Sequence, residues 1–330
     1  MRIGLAFDLK DDFQPGRDIP EDAFEEYDSL EVVNAIAVGL RALGHDTILL
    51  GGGRKFISKI LKSKVDFVFN IAEGHGSLRS REAQVPAILE MLDIPYSGSD
   101  PQTLAITLDK PLAKRLVGAA GIATPAWLLI GSLRALKAVS AGDFPLPAFI
   151  KPAFEGSSKG IRLTSRADTA ARARTITRQL LAKYRQPVLI EKYIEGGEVT
   201  VGVVGNAPPV IVGIMRVLPR SKSKGFVYSL EVKRDWRNLV DYECPARLPK
   251  SVIKRITEAS LAAFTTLGCR DFSRVDFRVA PDGTPYFLEV NPLPGLNPES
   301  GDLPIMSYKM GWTYNGLIRS IFESALARYG

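Results

Sequence analysis

The stretch Arg274-Val275-Asp276-Phe277-Arg278-Val279-Ala280-Pro281-Asp282-Gly283-Thr284-Pro285-Tyr286-Phe287-Leu288-Glu289-Val290-Asn291 carries two alternating runs around an Asp-Gly pair. Asp-Gly between such runs is the strongest short-range hairpin signal. With Asp282 and Gly283 as the two central turn residues, Asp276 faces Glu289 and Arg274 faces Asn291, all on one side of the sheet. Phe277 and Leu288 then point the other way. Directly opposed carboxylates have Cβ atoms about 4.5–5.5 Å apart and repel each other, so something positive must compensate. Two readings stay open. Oxygen ligands from Asp276, Glu289 and Asn291 suit Mg²⁺ carrying substrate phosphates. Alternatively, a half-exposed hairpin is neutralised by Arg274, Arg278 and solvent. A bulge would move the acid pair off one face.

Upstream lie weaker signals of the same kind. Phe149-Ile150-Lys151-Pro152 reads as a strand end, followed by Ala153-Phe154-Glu155-Gly156-Ser157-Ser158-Lys159-Gly160. Glycine lets a backbone approach a ligand closely, and consecutive N–H groups with hydroxyls can cradle a phosphate. An exposed β-turn is the plain alternative. Glu191-Lys192-Tyr193-Ile194-Glu195-Gly196-Gly197-Glu198 links two strand-like runs and is either a charged connection or a hinge offering backbone groups to a base. The first third alternates apolar runs (Ile3–Phe7, Thr47–Leu50, Val65–Ile71) with helical periodicity (Leu30–Leu43, Val85–Leu92). This βαβ rhythm predicts a parallel sheet covered on both faces. Gly51-Gly52-Gly53 lacks the spacing of a phosphate loop and reads as a turn.

At 330 residues the chain exceeds one compact domain. We expect an α/β protein with an N-terminal domain over 1–105, a central lobe over 106–204 and a C-terminal lobe over 205–330 that carries the hairpin. With 45% hydrophobic and 24% charged residues the composition is that of a soluble protein. No apolar run reaches the roughly 20 residues that span a bilayer, and the N-terminus lacks a signal-peptide pattern. Two cysteines make no disulfide framework and fit a reducing cytoplasm. Net charge is +7, but the basic residues are spread out without an aromatic-basic stripe, which disfavours nucleic acid. The densest run, Arg216–Lys224, reads as a solvated loop.

In order along the chain, Phe69-Asn70, Ile94-Pro95-Tyr96-Ser97-Gly98-Ser99, Leu108-Asp109-Lys110, Ile150-Lys151-Pro152 and Glu155-Gly156-Ser157-Ser158 form one series. It continues with Glu191-Lys192, Glu198-Val199-Thr200-Val201, Cys244-Pro245-Ala246, Arg274-Val275-Asp276-Phe277 and Glu289-Val290-Asn291-Pro292-Leu293-Pro294-Gly295. The series resembles the D-alanine–D-alanine ligase group of the ATP-grasp superfamily from about Phe69 to Leu317. The resemblance implies an ATP-grasp fold behind a Rossmann-like N-terminal domain. It also implies a ligase that joins small amino-acid-like substrates through an acyl-phosphate, with ATP and Mg²⁺ or Mn²⁺, as a homodimer. Lys110, Lys151 and Lys233 would contact phosphates, and Glu155, Gly156, Ser157 and Ser158 would cover them, Ser157 sharing in catalysis. Glu191, Lys192, Tyr193, Ile194 and Glu198 would hold adenosine, with Leu288 against the base. Asp276, Glu289 and Asn291 match metal ligands. Arg274 and the Gly295 N–H match an oxyanion pair, and Val227–Lys233 a mobile closing loop. His45 and His75 match no catalytic position.

The chain departs from that family where substrates are held. Glu73 stands at the position of the family histidine and Arg81 at that of its glutamate. Arg234 replaces an aromatic residue, and Leu296–Asp302 replaces a shorter Thr/Ser-rich stretch. These changes predict an altered pocket, with Arg79 or Arg81 binding an extra substrate carboxylate, Glu73 or Glu31 an amine, and Arg234 and Ser300 nearby. A ligase of other specificity is the leading expectation, ahead of a true D-alanine–D-alanine ligase, a non-catalytic ATP-binding regulatory module and a nucleic-acid-binding protein.

Overall fold

A computed structural model describes residues 1–14, 16, 19–221 and 225–330. Lys222 and Lys224 of the basic run lie outside the described residues. The chain opens with β1 (Arg2–Ala6), α1 (Leu30–Ala42), β2 (Asp46–Gly51), α2 (Gly53–Ile60) and β3 (Phe67–Asn70). The strands form a parallel sheet in the order β2-β1-β3. Period two divides their side chains between two cores. Ile3, Leu5, Phe67 and Phe69 pack with Val33, Ile36 and Leu40 of α1, whereas Ala6, Leu50 and Val68 pack with Phe56 and Ile60 of α2. Burial on both faces is what the apolar runs require of a parallel sheet.

Next come α3 (Gln84–Met91), α4 (Pro101–Leu108) and α5 (Lys110–Ala119). Asp100 and Asp109 cap α4 and α5 by accepting from Thr103 N–H at 2.8 Å and Leu112 N–H at 3.1 Å. The second cap sets Lys110 at the first residue of its helix. A four-stranded antiparallel sheet follows, built from β4 (Trp127–Ile130), β5 (Ala148–Pro152), β6 (Arg166–Ala167) and β7 (Val188–Lys192) in the order β4-β7-β5-β6. The helices α6 (Leu133–Ala138) and α7 (Ala170–Tyr184) share its core.

The rest of the chain makes a five-stranded antiparallel sheet. Its parts are β8 (Gly197–Val204), β9 (Val210–Pro219), the short helices α8 (Leu230–Arg234) and α9 (Trp236–Leu239), β10 (Val240–Glu243), α10 (Lys250–Thr266), β11 (Phe272–Val279) and β12 (Pro285–Asn291). The order is β10-β9-β8-β11-β12. Two final helices, α11 (Asp302–Lys309) and α12 (Tyr314–Leu326), return to the first lobe, where Leu317, Ile318 and Phe322 join the core of β1 and α1.

Two expectations about this part need correction. A boundary at 204/205 would leave β8 with the central lobe, but β8 pairs with β9 and β11 along its whole length. The change of sheet falls between Lys192 and Gly197, because the apolar residues Val199, Val201 and Val203 share a core with Phe277 and Phe287. The hairpin turn also differs. Gly283 N–H donates to Ala280 O at 2.8 Å, so Pro281 and Asp282 are the central residues and Gly283 takes φ +78°. Glycine adopts that conformation without strain.

Candidate active site

This turn shifts the register of the hairpin by one residue. Phe277 therefore pairs with Phe287. A bulge then restores the register, so that Asp276 lies opposite Glu289 and Arg274 opposite Asn291. The bulge residue is Leu288. It does not point to the far side with Phe277, as plain alternation predicts. It lines the same cleft as Asp276 and Glu289, while Phe277 and Phe287 are fully buried beneath.

The cleft lies between the two antiparallel sheets and is closed by α8. Lys110 Nζ lies 3.3 Å and Lys151 Nζ 4.0 Å from Glu289 Oε2. Burial alone would push the Glu289 carboxyl up, but Lys110, Lys151, Arg274 and Lys233 outweigh it and hold it well below the usual carboxylate range. Arg274 grips both oxygens of Asp276, at 2.9–3.2 Å, and reaches Asp302 at 3.1 Å. Thr200 Oγ1 donates to Asp276 Oδ1 at 2.5 Å. Asn291 stands two residues along the same face, its Oδ1 accepting from Leu293 N–H at 3.0 Å. Among the described residues no group of three or more His, Cys, Asp or Glu could hold a metal ion. Two carboxylates and an amide oxygen instead fit a hard cation that takes its remaining ligands from phosphates.

The nucleotide side of the cleft is lined by Phe149, Glu198, Val217 and Leu288 and by the 192–194 link. Glu191 lines the same cleft and is paired with two lysines. Its carboxylate lies 3.1 Å from Lys151 and 2.6 Å from Lys114, a buried residue 1% exposed. Burial lowers the Lys114 ammonium to about 8 against the pull of Glu191. Lys151 is held above the ordinary lysine value, since Glu191 and Glu289 outweigh the effect of its burial. Glu191 thus positions Lys151. The Lys192 N–H is donated to Ala126 O at 2.7 Å, and the Ile194 carbonyl accepts from Arg278 Nε at 2.8 Å and keeps a second lone pair. Arg278 also stacks over Tyr193 and donates to its hydroxyl. Burial raises the Glu198 carboxyl, with Arg278 acting against it.

The Gly/Ser loop is divided. Ser157 and Ser158 both take positive φ, 49° and 59°. Ser158 faces the nucleotide cleft and Ser157 its continuation toward Gly295. Glu155 turns away and lies 2.5 Å from Lys159 and 3.3 Å from Arg81, with Gln186 at 2.6 Å. Arg81, expected to bind a substrate carboxylate, is 1% exposed and spends its donors on Glu26, Glu155 and Phe154 O. Gly74 allows this packing, because a Cβ there would sit 1.9 Å from Arg81 O. The loop is further fastened by Asp22, which accepts from Gly160 N–H at 2.9 Å and Tyr184 Oη at 2.7 Å.

Beyond Arg274 the cleft continues past Ser157, Lys233, Arg234, Asn291, Gly295, Ser300 and Glu73. Arg234 is paired with Glu25 at 2.5 Å. Glu31 lies exposed in the first turn of α1 and lines no part of the cleft, and Arg79 extends over the surface to Asp109 at 2.8 Å. Arg81 and the Glu155 side chain are likewise turned to protein partners. The segment 227–233 is folded down, with Leu230 N–H donated to Ile161 O at 3.2 Å and Val227, Leu230 and Val232 buried. Lys114, Glu26 and Asp28 belong to no motif of the sequence, and Asp302 enters only as the end of the 296–302 stretch. Lys114 alone left a signal there, four residues after Lys110 and so on the same helix face.

Two antiparallel sheets gripping a cleft of lysines above an opposed acid pair, behind a parallel-sheet domain, define an ATP-grasp ligase, an ATP-dependent enzyme that forms C–N bonds. Comparisons agree. The family model described as D-ala D-ala ligase C-terminus matches residues 116–323. The D-alanine–D-alanine ligase of Aquifex aeolicus is 33% identical over 305 residues, covering 89% of this chain and 94% of that protein. The crystal structure of the Bacillus anthracis D-alanine–D-alanine ligase complexed with ATP superposes with a TM-score of 0.75 at 24% identity, over 99% of this chain and 98% of that one. The VanG D-Ala:D-Ser ligase of Enterococcus faecalis gives 0.74 at 23%, over 98% and 99%. The chain belongs to the D-alanine–D-alanine ligase family.

Proposed function

We propose that this ligase joins D-alanine to a second amino acid through an acyl-phosphate, with ATP and Mg²⁺. The observation that carries this is the Asp276–Glu289 pair facing one cleft beneath Lys110, Lys151 and Arg274. Relatives named for D-alanine as substrate support D-alanine here. The burial of Arg81 against Glu26 removes the main reason for expecting an extra substrate carboxylate. Its use of ATP supports a cytoplasmic place of work.

Asp276, Glu289 and Asn291 would hold Mg²⁺, which neutralises and orients the triphosphate. Lys110, Lys151 and Lys233 share that charge, Ser157 and Ser158 close over the phosphates, and Glu198 and Leu288 meet the ribose and base. A donor carboxylate oxygen attacks the γ-phosphorus. The bond to the β-phosphate oxygen breaks, and ADP leaves. The acceptor amine then attacks the acyl carbon of the acyl-phosphate, the C–O bond to phosphate breaks, and the amine gives up a proton as the amide forms. Arg274 and the Gly295 N–H steady the oxyanion between these events. With 227–233 folded down, water is kept from the acyl-phosphate.

Purified protein with Mg-ATP and D-alanine, alone and with D-serine, tests this by phosphate release and mass spectrometry of the product. A D-alanyl dipeptide formed with one ADP per bond is expected. ATP bound tightly but not consumed with any amino acid would leave a binding module instead.

A further inference from the structure

Arg274, Asp276 and Arg278 follow one another at period two on the cleft side of β11. Arg278 does not serve the opposed acid pair. Among the described residues its ion-pair partner is Glu198, directly across from it on β8, at 3.5 Å. It is 7% exposed, and all five of its N–H donors are spent. Nε donates to Ile194 O, and Nη2 to Tyr193 Oη and Gly196 O, each at 2.8 Å. Nη1 donates to Phe226 O at 3.1 Å and faces Glu198. An arginine that binds phosphate offers it a free fork. This fork is filled by the protein.

The groups it joins belong to two different parts of the cleft. Tyr193, Ile194 and Gly196 lie in the link beside the nucleotide, whereas Phe226 immediately precedes the closing segment 227–233. Phe226 O also accepts from Tyr193 Oη at 3.0 Å, so both lone pairs of that carbonyl are held from the link. The Tyr193 ring has two guanidiniums 4.5 Å from its centroid, those of Arg278 and Arg166. Arg166 packs in turn on Gly225, where φ is +76° and a Cβ would sit 2.1 Å from its Nη1. Val227 and Tyr228, next in the chain, line the nucleotide cleft.

Resting on the reading that this cleft takes ATP, we infer that Arg278, with Tyr193, is a positioning residue that couples nucleotide binding to the folding down of the closing segment. A nucleotide packed against the link and Glu198 restrains the same side chains that fix Phe226 O. Order imposed on one part is then imposed on the other, and the folded segment favours bound nucleotide to the same degree. A buried arginine that only sustains the fold would change global stability and leave the two parts independent.

Amide hydrogen exchange of the full chain, with and without saturating Mg-ADP, compares wild type with Tyr193→Phe and Arg278→Met. In wild type Mg-ADP should slow exchange across 226–234 about fivefold or more. Tyr193→Phe should lose part of that slowing and Arg278→Met most of it, while α10 keeps its wild-type rates. Calorimetry establishes that ADP is saturating in each case. With D-alanine and Mg-ATP, both variants should release more phosphate than they form dipeptide, because water reaches the acyl-phosphate under a loosened segment. No slowing in wild type, or slowing kept in full by both variants, overturns the inference, as does faster exchange spread evenly over α10. Dipeptide formed with one ADP per bond would then leave the ligase reading in place. Tyr193→Phe removes a single hydroxyl and decides the matter should Arg278→Met fail to fold. Mg-ADP that does not bind wild type removes the nucleotide reading and the inference together.

Discussion

Asp276 lies directly opposite Glu289 because the bulge at Leu288 cancels the one-residue shift introduced at the Pro281-Asp282-Gly283 turn. The bulge also turns Leu288 into the cleft, giving three neighbouring side chains on one face, one apolar and two acidic. Removing one acid should uncouple nucleotide from magnesium. In Glu289→Gln, phosphate release should fall about 100-fold or more. ATP should still bind, with weaker dependence on Mg²⁺, because Lys110 and Lys151 lose their carboxylate. Calorimetric titration with and without Mg²⁺ checks this.

Arg274 spans Asp276 and Asp302 with one planar guanidinium. A lysine offers a single point charge and cannot hold both. Arg274→Lys should lower kcat about 10²–10³-fold, the loss expected for a missing oxyanion donor. KM for ATP should change only a few-fold, so steady-state kinetics in both substrates separate the two roles.

Arg81 is a structural cation. Arg81→Ala leaves Glu26 buried with Lys159 as its remaining ion-pair partner, and breaking a buried pair from one side costs about 3–5 kcal/mol. Urea unfolding should show that loss, whereas Arg79→Ala, on the surface, should stay within about 0.5 kcal/mol of wild type.

Lys114, Glu191 and Lys151 form a buried chain of alternating charge. Lys114→Met should destabilise the protein and raise KM for ATP by releasing Glu191 onto Lys151. Adding Glu191→Gln should recover part of the stability, with a coupling on the order of 0.5–3 kcal/mol in a double-mutant cycle.

Burial, aided by the charge of Asp8, pushes the Asp28 carboxyl up to about 7 from its ordinary 3.8. The folded chain therefore holds that proton more tightly than the unfolded chain. Its contribution to stability is complete below about pH 4 and is lost as pH rises toward 7. Asp28→Asn lacks this term. Thermal melts should show the variant gaining on wild type between pH 4.5 and pH 7.5, on the order of 2 kcal/mol.

Local patterns made much of the molecule legible. The alternating runs at 274–279 and 285–291 specify strands because a side chain's face follows directly from backbone pleat, and β11 and β12 set Asp276 against Glu289. The apolar runs of the first lobe likewise imply a sheet buried on both sides. Other features have no local signature. Whether Arg81 greets a substrate or a neighbour depends on Glu26, 55 residues earlier in the chain. That Glu191 answers two lysines depends on Lys114, and β8 belongs to the second antiparallel sheet because its valines share a core with Phe277 and Phe287. Backbone period tells which way a side chain points. Only through-space packing decides which charges meet, and a buried charge is defined by the partner it meets.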